Sequence, residues 1–236
     1  MLRRAHLGTL RGVSVTSLDL LEFERTLLAR GEIVVGIDEV GRGALAGPMT
    51  VGAVVICSEE APPKGLNDSK LLTAARRESL VEPLCQWAAA WSLGSVSASE
   101  IDAWGLRLAL AVAATRALNA LTLVPTYALI DGSFNLLRSP LDVGFGVVGP
   151  PELSYASLPA TTIVKGDQRS ATIAAAAVLA KVARDAVMVA LHEECGQYQW
   201  ASNKGYGAAE HLEAIRRHGP HAYHRTSWNL PVKTSP

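Results

Sequence analysis

The sequence predicts an α/β domain built on a mixed sheet. Two observations lead there: runs rich in β-branched residues alternate along the chain with segments of helical period, and the first two such runs are joined by a glycine-rich turn suited to a hairpin. The 236 residues, 49% hydrophobic and 19% charged, are enough for one sizeable core and unlike a disordered or fibrous chain.

In chain order, residues 17–31 read as a leading helix, with Ser17 as N-cap, Leu20, Leu21, Leu27 and Leu28 on a helical period, and Gly31 as the stop. EIVVGID (32–38) and MTVGAVVIC (49–57) read as the hairpin strands. PPKGLNDSK (62–70) is turn chemistry throughout, and a helix is expected from Thr73, kinked or shortened at Pro83. A third strand is expected over 90–97. Ser99 and Asp102 suggest a capping box for an apolar helix that contains Gly105 and reaches about Leu121. TYALIDG (126–132) reads as a buried strand ending on an acid, residues 133–160 as loop, and TTIVKGD (161–167) as a short strand ending on another acid. Ser170 caps the longest helix, 170–194, and a shorter one over 208–218 stops at Gly219 and Pro220. The expected organisation is an N-terminal extension with the leading helix (1–31), a catalytic domain (32–198) and a C-terminal helical and loop extension (199–236) that contributes to substrate binding.

Lys+Arg and Asp+Glu number 22 each, so net charge neither supports nor excludes a nucleic-acid partner. Cys57, Cys85 and Cys195 are odd in number and far apart, which fits no disulfide framework or zinc spacing and points to a reducing, cytoplasmic setting. The arginines near the N-terminus lack the apolar stretch of a signal peptide, and no run of about 18 apolar residues occurs, so no membrane association is expected.

Three predicted strands end on acids: Asp38 with Glu39, Asp131, and Asp167. Carboxylates gathered at the ends of neighbouring strands repel one another and raise each other's pKa unless a cation compensates them. Such a set suits a hard, oxygen-preferring ion, Mg²⁺ or Mn²⁺. Asp38 and Glu39 share a site only if the strand ends or twists between them, since successive side chains point to opposite faces. The plain alternative is that each acid is a solvated strand end or turn former, most readily at Asp131-Gly132.

Gly41-Arg42-Gly43 directly follows the first acids. A dinucleotide fingerprint fits poorly, because the third glycine, Gly47, comes one residue late and Pro48 leads into strand-like sequence. A simple hairpin turn is the bland reading.

GIDEVGRGALAGP, GLNDSK, LIDG, VKGD, AAAAVLAKVARDAVM, NKGYG, EHL and HRTSW, in this order and at these separations, resemble ribonuclease HII, the bacterial type 2 ribonuclease H, over about residues 32–230. The resemblance implies a ribonuclease H-like fold, a mixed central sheet flanked by helices with a small C-terminal helical extension. It also implies endonucleolytic hydrolysis of RNA in RNA/DNA hybrids and of ribonucleotides embedded in duplex DNA, by a two-metal-ion mechanism. Asp38, Glu39, Asp131 and Asp167 would be both the catalytic and the metal-ligating set. Gly41, Arg42 and Gly43 would read the ribose 2′-hydroxyl, and Tyr206 would pack against the deoxyribose that follows the scissile ribonucleotide. The chain departs from the family at Ala174 and Ala177, where Ser is frequent, and at Leu71, where a second basic residue often follows Lys70.

Asn67, Ser69 and Lys70 offer donors and a cation suited to a phosphodiester backbone, though a solvated loop would look the same. Residues 165–184 hold Lys165, Arg169, Lys181 and Arg184 against Asp167, a basic surface in which Lys165 is the phosphate candidate and Lys181 and Arg184 are expected to face solvent. Asp185 reads as support for the site or as helix surface. His221 and His224 lack an acid or cysteine partner for zinc and are expected to help Arg225 contact nucleic-acid backbone, or to pack. The protein is expected to act as a monomer. Competing classes are a non-catalytic nucleic-acid or nucleotide-binding module, and another metal nuclease or phosphotransferase on the same fold.

Overall fold

The computed structural model describes residues 19–137 and 158–232. Five strands form one sheet in the order β3-β2-β1-β4-β5. β1 (Val34–Val40), β2 (Met49–Ile56) and β3 (Ala90–Val96) form an antiparallel meander. β4 (Tyr127–Asp131) and β5 (Ala160–Ile163) continue from β1 in parallel. The mixed sheet is therefore the one expected, with a hairpin at β1–β2.

Helices cover both faces. α4 (Ala171–Glu194) crosses β1 and β2 on one side and α3 (Ala98–Asn119) packs on β2 and β3 on the other. The Ala-rich start of α4 lets its backbone approach the sheet closely: a Cβ at Gly36 would overlap Thr172, and one at Gly52 would overlap Ala176. Two apolar layers result, one containing Val35, Ile37 and Val51 with α3, the other Val34, Val54 and Ile173 with α4.

α1 (Glu22–Leu28) is shorter than the expected leading helix and has no side-chain cap; the proposed cap Ser17 lies outside the described residues. Its buried Glu24 accepts from Ser170 Oγ at 2.6 Å and Thr172 N at 3.0 Å, so the leading helix caps the start of α4. α2 (Ala74–Trp87), N-capped by Thr73, continues past Pro83 to Trp87 rather than stopping there, with Leu80 and Leu84 on either side of the proline buried. The capping box of α3 is Ser97 with Glu100, not Ser99 with Asp102. Asp102 instead accepts four bonds from the backbone and hydroxyls of Thr226 and Ser227, fastening the C-terminal segment. Gly105, at φ 73°, interrupts α3 with a kink. Of the loop expected over 133–160, residues 138–157 lie outside the described residues, and 160 already belongs to β5.

The C-terminal region contributes α5 (Trp200–Asn203), which the sequence pattern missed, and α6 (Ala209–His218). Trp200, Tyr198, Met188, Ile215 and Ala46 form a third apolar cluster. Through Ala46 and the Ala46–His224 bridge, this cluster grips the turn after β1.

Candidate active site

The parallel ladder between β1 and β4 ends at Ile37 and Ile130, while the antiparallel ladder with β2 continues to Val40. Asp38 and Asp131 are therefore the next residues along adjacent strands, on the side of β1 where pairing has stopped. A pocket of about 250 Å³ opens there, lined by Asp38, Glu39 and Asp131, by Gly41-Arg42-Gly43, by Ser69 and Lys70, and by Ala177, Lys181 and Tyr206. Of the two ways for Asp38 and Glu39 to share a site, an end of the strand between them does not occur, since both lie within β1, and both line the pocket.

Asp167 does not end a strand. β5 stops at Ile163, and Asp167 sits in a 3₁₀ turn, Gly166–Gln168, entered through Lys165 in a left-handed conformation at φ 55°. The Asp131 carboxylate accepts from Gly166 N at 2.7 Å, which ties that turn to the end of β4. Lys70 Nζ lies 3.4 Å from Asp167 Oδ2, and the buried Asp68 accepts from Lys70 N at 2.8 Å and from Gln168 Nε2 at 3.1 Å. Asp68 thus joins the 67–70 loop to the turn of Asp167; sequence reading passed it over because an Asp in a turn-rich loop has a sufficient local explanation.

The electrostatics are those of a site short of positive charge. Burial, then the Asp131 and Glu39 carboxylates, pushes the Asp38 carboxyl well above its ordinary range, and Asp167 adds to this. Burial also raises Glu39, partly offset by Arg42 at 3.3 Å. Asp167 is raised by burial against the opposing charge of Lys70. Partial burial alone would lower Lys70, but Asp167, Asp68 and Asp38 hold it above the ordinary lysine value. Among the described residues no group of three or more His, Cys, Asp or Glu side chains is arranged so that it could hold a metal ion. Asp38, Glu39 and Asp131 line the pocket and Asp167 does not, and a donor set of carboxylates alone fits hard divalent cations.

Of the other predicted residues, Ser69, Lys70, Arg42 and Tyr206 reach the pocket, whereas Asn67 and Lys165 are exposed and do not line it. Asn67 instead accepts from Asp68 N at 2.8 Å. Arg169 is exposed and lies over the Phe23 ring. Lys181 lines the pocket rather than facing solvent, oriented by Asp185 at 2.6 Å; the i,i+4 spacing of Ala177 and Lys181 on α4 was the available signal. Asp185 is therefore the supporting residue, bonded to Lys181 and within 3.9 Å of Arg77. Arg184 and Arg225 are fully buried, so Arg225 is not a surface contact for nucleic acid. His224 packs: its Nε2 lies 3.1 Å from Nε2 of buried His211, whose Nδ1 is 2.7 Å from the Tyr206 carbonyl. The tyrosine loop is thus closely bonded, and Gly205, at φ 80°, sits where a Cβ would overlap the Ala46 carbonyl. Of the family departures, Ala177 lines the pocket and Leu71 is exposed beside Lys70.

A carboxylate-lined pocket at the strand ends of this mixed sheet, edged by a glycine turn and an aromatic loop, defines a metal-dependent nuclease of the ribonuclease H-like class. The family model for ribonuclease HII matches residues 35–230. Ribonuclease HII of Streptomyces avermitilis is 43% identical over 207 residues, covering 87% of this chain and 81% of the relative. That of Jannaschia sp. is 45% identical over 207 residues, with 88% and 93% covered. The ribonuclease HII solved in complex with PCNA from Archaeoglobus fulgidus superposes with a TM-score of 0.65 at 26% identity, covering 86% of this chain and 98% of that one. The chain belongs to the ribonuclease HII family and is a metal-dependent ribonuclease H.

Proposed function

We propose that the protein cuts the RNA strand of RNA/DNA hybrids and cuts 5′ of single ribonucleotides in duplex DNA, leaving 5′-phosphate and 3′-hydroxyl ends and supporting ribonucleotide removal in DNA repair and replication. The observation that carries this reading is the meeting of Asp38, Glu39 and Asp131 with the Gly41-Arg42-Gly43 turn and Tyr206 in one pocket. Asp38, Glu39, Asp131 and Asp167 would hold two Mg²⁺ or Mn²⁺ ions, which when bound supply activation of the attacking water and stabilisation of the leaving 3′-oxygen.

The chain's own groups do the rest. Lys70 holds the Asp167 carboxylate and presents positive charge to the scissile phosphate. Lys181, steadied by Asp185, adds a second cation to the pocket lining. The backbone of the glycine turn meets the 2′-hydroxyl, the group that separates RNA from DNA, and the Tyr206 ring packs on the neighbouring deoxyribose. Ser69 supplies a short donor to the backbone, with Asn67 and Lys165 at the periphery of the bound duplex. The reading includes a monomer acting in the cytoplasm; its cysteines are all free, and among the described residues no helix is long and apolar enough to cross a membrane.

Incubation with three duplexes tests it: one with a single ribonucleotide, an RNA/DNA hybrid, and all-DNA. Magnesium-dependent cutting of the first two and not the third is expected. Binding without cutting would support the non-catalytic alternative, and cutting of all-DNA would remove the 2′-hydroxyl reader.

A further inference from the structure

The wall of the pocket that carries no carboxylate is held from behind by two arginines. Arg184 of α4 and Arg225 of the C-terminal segment are both fully buried, and neither makes an ion pair among the described residues. A charge taken out of water without a counter-ion is tolerated only where hydrogen bonds satisfy it. Their guanidinium groups are instead engaged by carbonyls. Arg184 donates from Nε to Pro48 at 2.8 Å, from Nη1 to Lys204 at 2.9 Å and from Nη2 to Ala46 at 3.1 Å. Arg225 donates from Nη1 to Arg42 at 2.8 Å and from Nη2 to Gly41 at 2.6 Å and Gly47 at 3.3 Å. Every acceptor belongs to the turn after β1 or to the tyrosine loop.

The Arg184 guanidinium also lies 5.3 Å from the centre of the Tyr206 ring. One side chain of α4 therefore touches both segments that face the sugar. Peptide planarity gives the Arg225 contacts a directional consequence. In a trans peptide the N–H points opposite to the C=O, so drawing the Gly41 and Arg42 carbonyls back toward Arg225 turns the amides of Arg42 and Gly43 away from it. Neither amide donates to another described residue. Gly41, at φ 82°, closes the arrangement, since a Cβ there would overlap Arg184 Nε.

We propose that Arg184 and Arg225 are positioning residues, which lock the glycine turn and the tyrosine loop into one register and leave the amides of Arg42 and Gly43 and the Tyr206 ring directed at the strand being cut. The inference rests on the sugar-reading role given to these segments above. Lysine cannot replace either arginine, because a point ammonium cannot hold several carbonyls in a fixed fork.

The test uses the full chain with Arg184→Lys, Arg225→Lys, Tyr206→Ala and the double variant Arg184→Lys/Tyr206→Ala. KM and kcat are measured separately on the single-ribonucleotide duplex and on the hybrid in excess Mg²⁺, alongside thermal melting. Arg184→Lys should raise KM on the single-ribonucleotide duplex about tenfold, equivalent to about 1.4 kcal/mol, with a much smaller change in kcat and on the hybrid; Arg225→Lys, which acts through the glycine turn, should raise KM on both substrates with little change in kcat. The double variant should lose little beyond the larger single loss, because Arg184 acts through the ring and its loop. Should Arg184→Lys fail to fold, Arg225→Lys combined with Gly43→Val is read by the same criterion. Losses that multiply, an Arg184→Lys loss equal on both substrates, or losses that follow melting would show that the arginines only support the fold. If Tyr206→Ala raises KM while both lysine variants behave as wild type, the inference alone is overturned. If Tyr206→Ala also leaves KM unchanged, the sugar-reading role falls and takes the inference with it.

Discussion

Asp38 and Arg184 are both charged and almost fully buried, one lining the pocket and the other bonded to the turn that edges it, yet their surroundings treat them in opposite ways. Around Asp38 the neighbours are more carboxylates, and burial together with Asp131 and Glu39 drives its proton affinity up. Around Arg184 the neighbours are three carbonyls and an aromatic face, which satisfy the guanidinium without neutralising it. One wall is left short of a counter-charge and the other is complete. A wall that is to take up cations has to be left under-compensated, whereas a wall that is to present amides and a ring has to be finished in advance.

The largest effect that tests this contrast is Asp38→Asn. Cleavage should fall by orders of magnitude, because the charge that would hold the ions is gone. The thermal midpoint near neutral pH should stay level or rise, because the ionised Asp38 is disfavoured by its surroundings in the metal-free protein. Arg184→Met should do the reverse in melting. It leaves three carbonyls without their donor, each at about 1–3 kcal/mol if no water replaces it, and the midpoint should drop clearly. If Asp38→Asn melts lower than Arg184→Met, the two walls do not differ in the way described.

Next in size is the pair Gly41→Val and Gly43→Val. Gly41 has φ 82° and the Arg184 side chain where its Cβ would go, while Gly43 has nothing within 4 Å. Gly41→Val should lose at least the roughly 1–2 kcal/mol of left-handed backbone strain, visible in denaturant unfolding. Gly43→Val should melt as wild type and lose binding and cleavage of ribonucleotide-containing duplex only. Equal melting of the two variants would mean that the turn is not braced from behind.

Tyr206→Ala refines the comparison on the substrate side. It should cost about 1–3 kcal/mol of substrate interaction and fall more heavily on the single-ribonucleotide duplex than on the hybrid. The ring is half-buried over Arg184 and Lys181, contacts worth about 0.5–1 kcal/mol at a partly exposed site, so its melting should change little.

The smallest effect concerns pH. Burial, then the neighbouring His211, lowers His224 from 6.5 to about 4. A base lowered on folding contributes stability that is present above its ordinary value and is lost as pH falls through the folded one, here from about 6.5 down to about 4. Metal-free wild type and His224→Gln should therefore converge in relative stability on acidification through that window. The raised carboxylates have the opposite sign, which is why the difference between the two proteins is the quantity to follow. A constant difference from pH 7 to pH 4 would remove His224 as the source.

Much of this protein is legible in its local chemistry. β-branched runs, the helix start at Thr73, the Ser170 cap and the Gly219 stop marked strands and helices because each acts over a few residues. Asp38, Glu39, Asp131 and Tyr206 were found for the same reason: an acid at the end of an apolar run, or an aromatic between glycines, is unusual where it stands. Residues whose part is set by distant partners were not legible. Lys181 and Arg184 share a basic stretch of α4, but only Asp185 and the carbonyls of residues 46, 48 and 204 turn one toward the pocket and bury the other. Arg225 has the look of a surface cation until the turn after β1, more than 170 residues earlier, closes over it. Asp167 is displaced from a strand end by a 3₁₀ turn that only its bond to Asp131 and the brace of Asp68 make understandable. The sequence by itself determined which groups carry charge and where the chain can turn, because those are properties of residues and their near neighbours. Which charges are buried, which are paired and which face a substrate was decided by the tertiary structure, because burial and pairing depend on groups that only folding brings together.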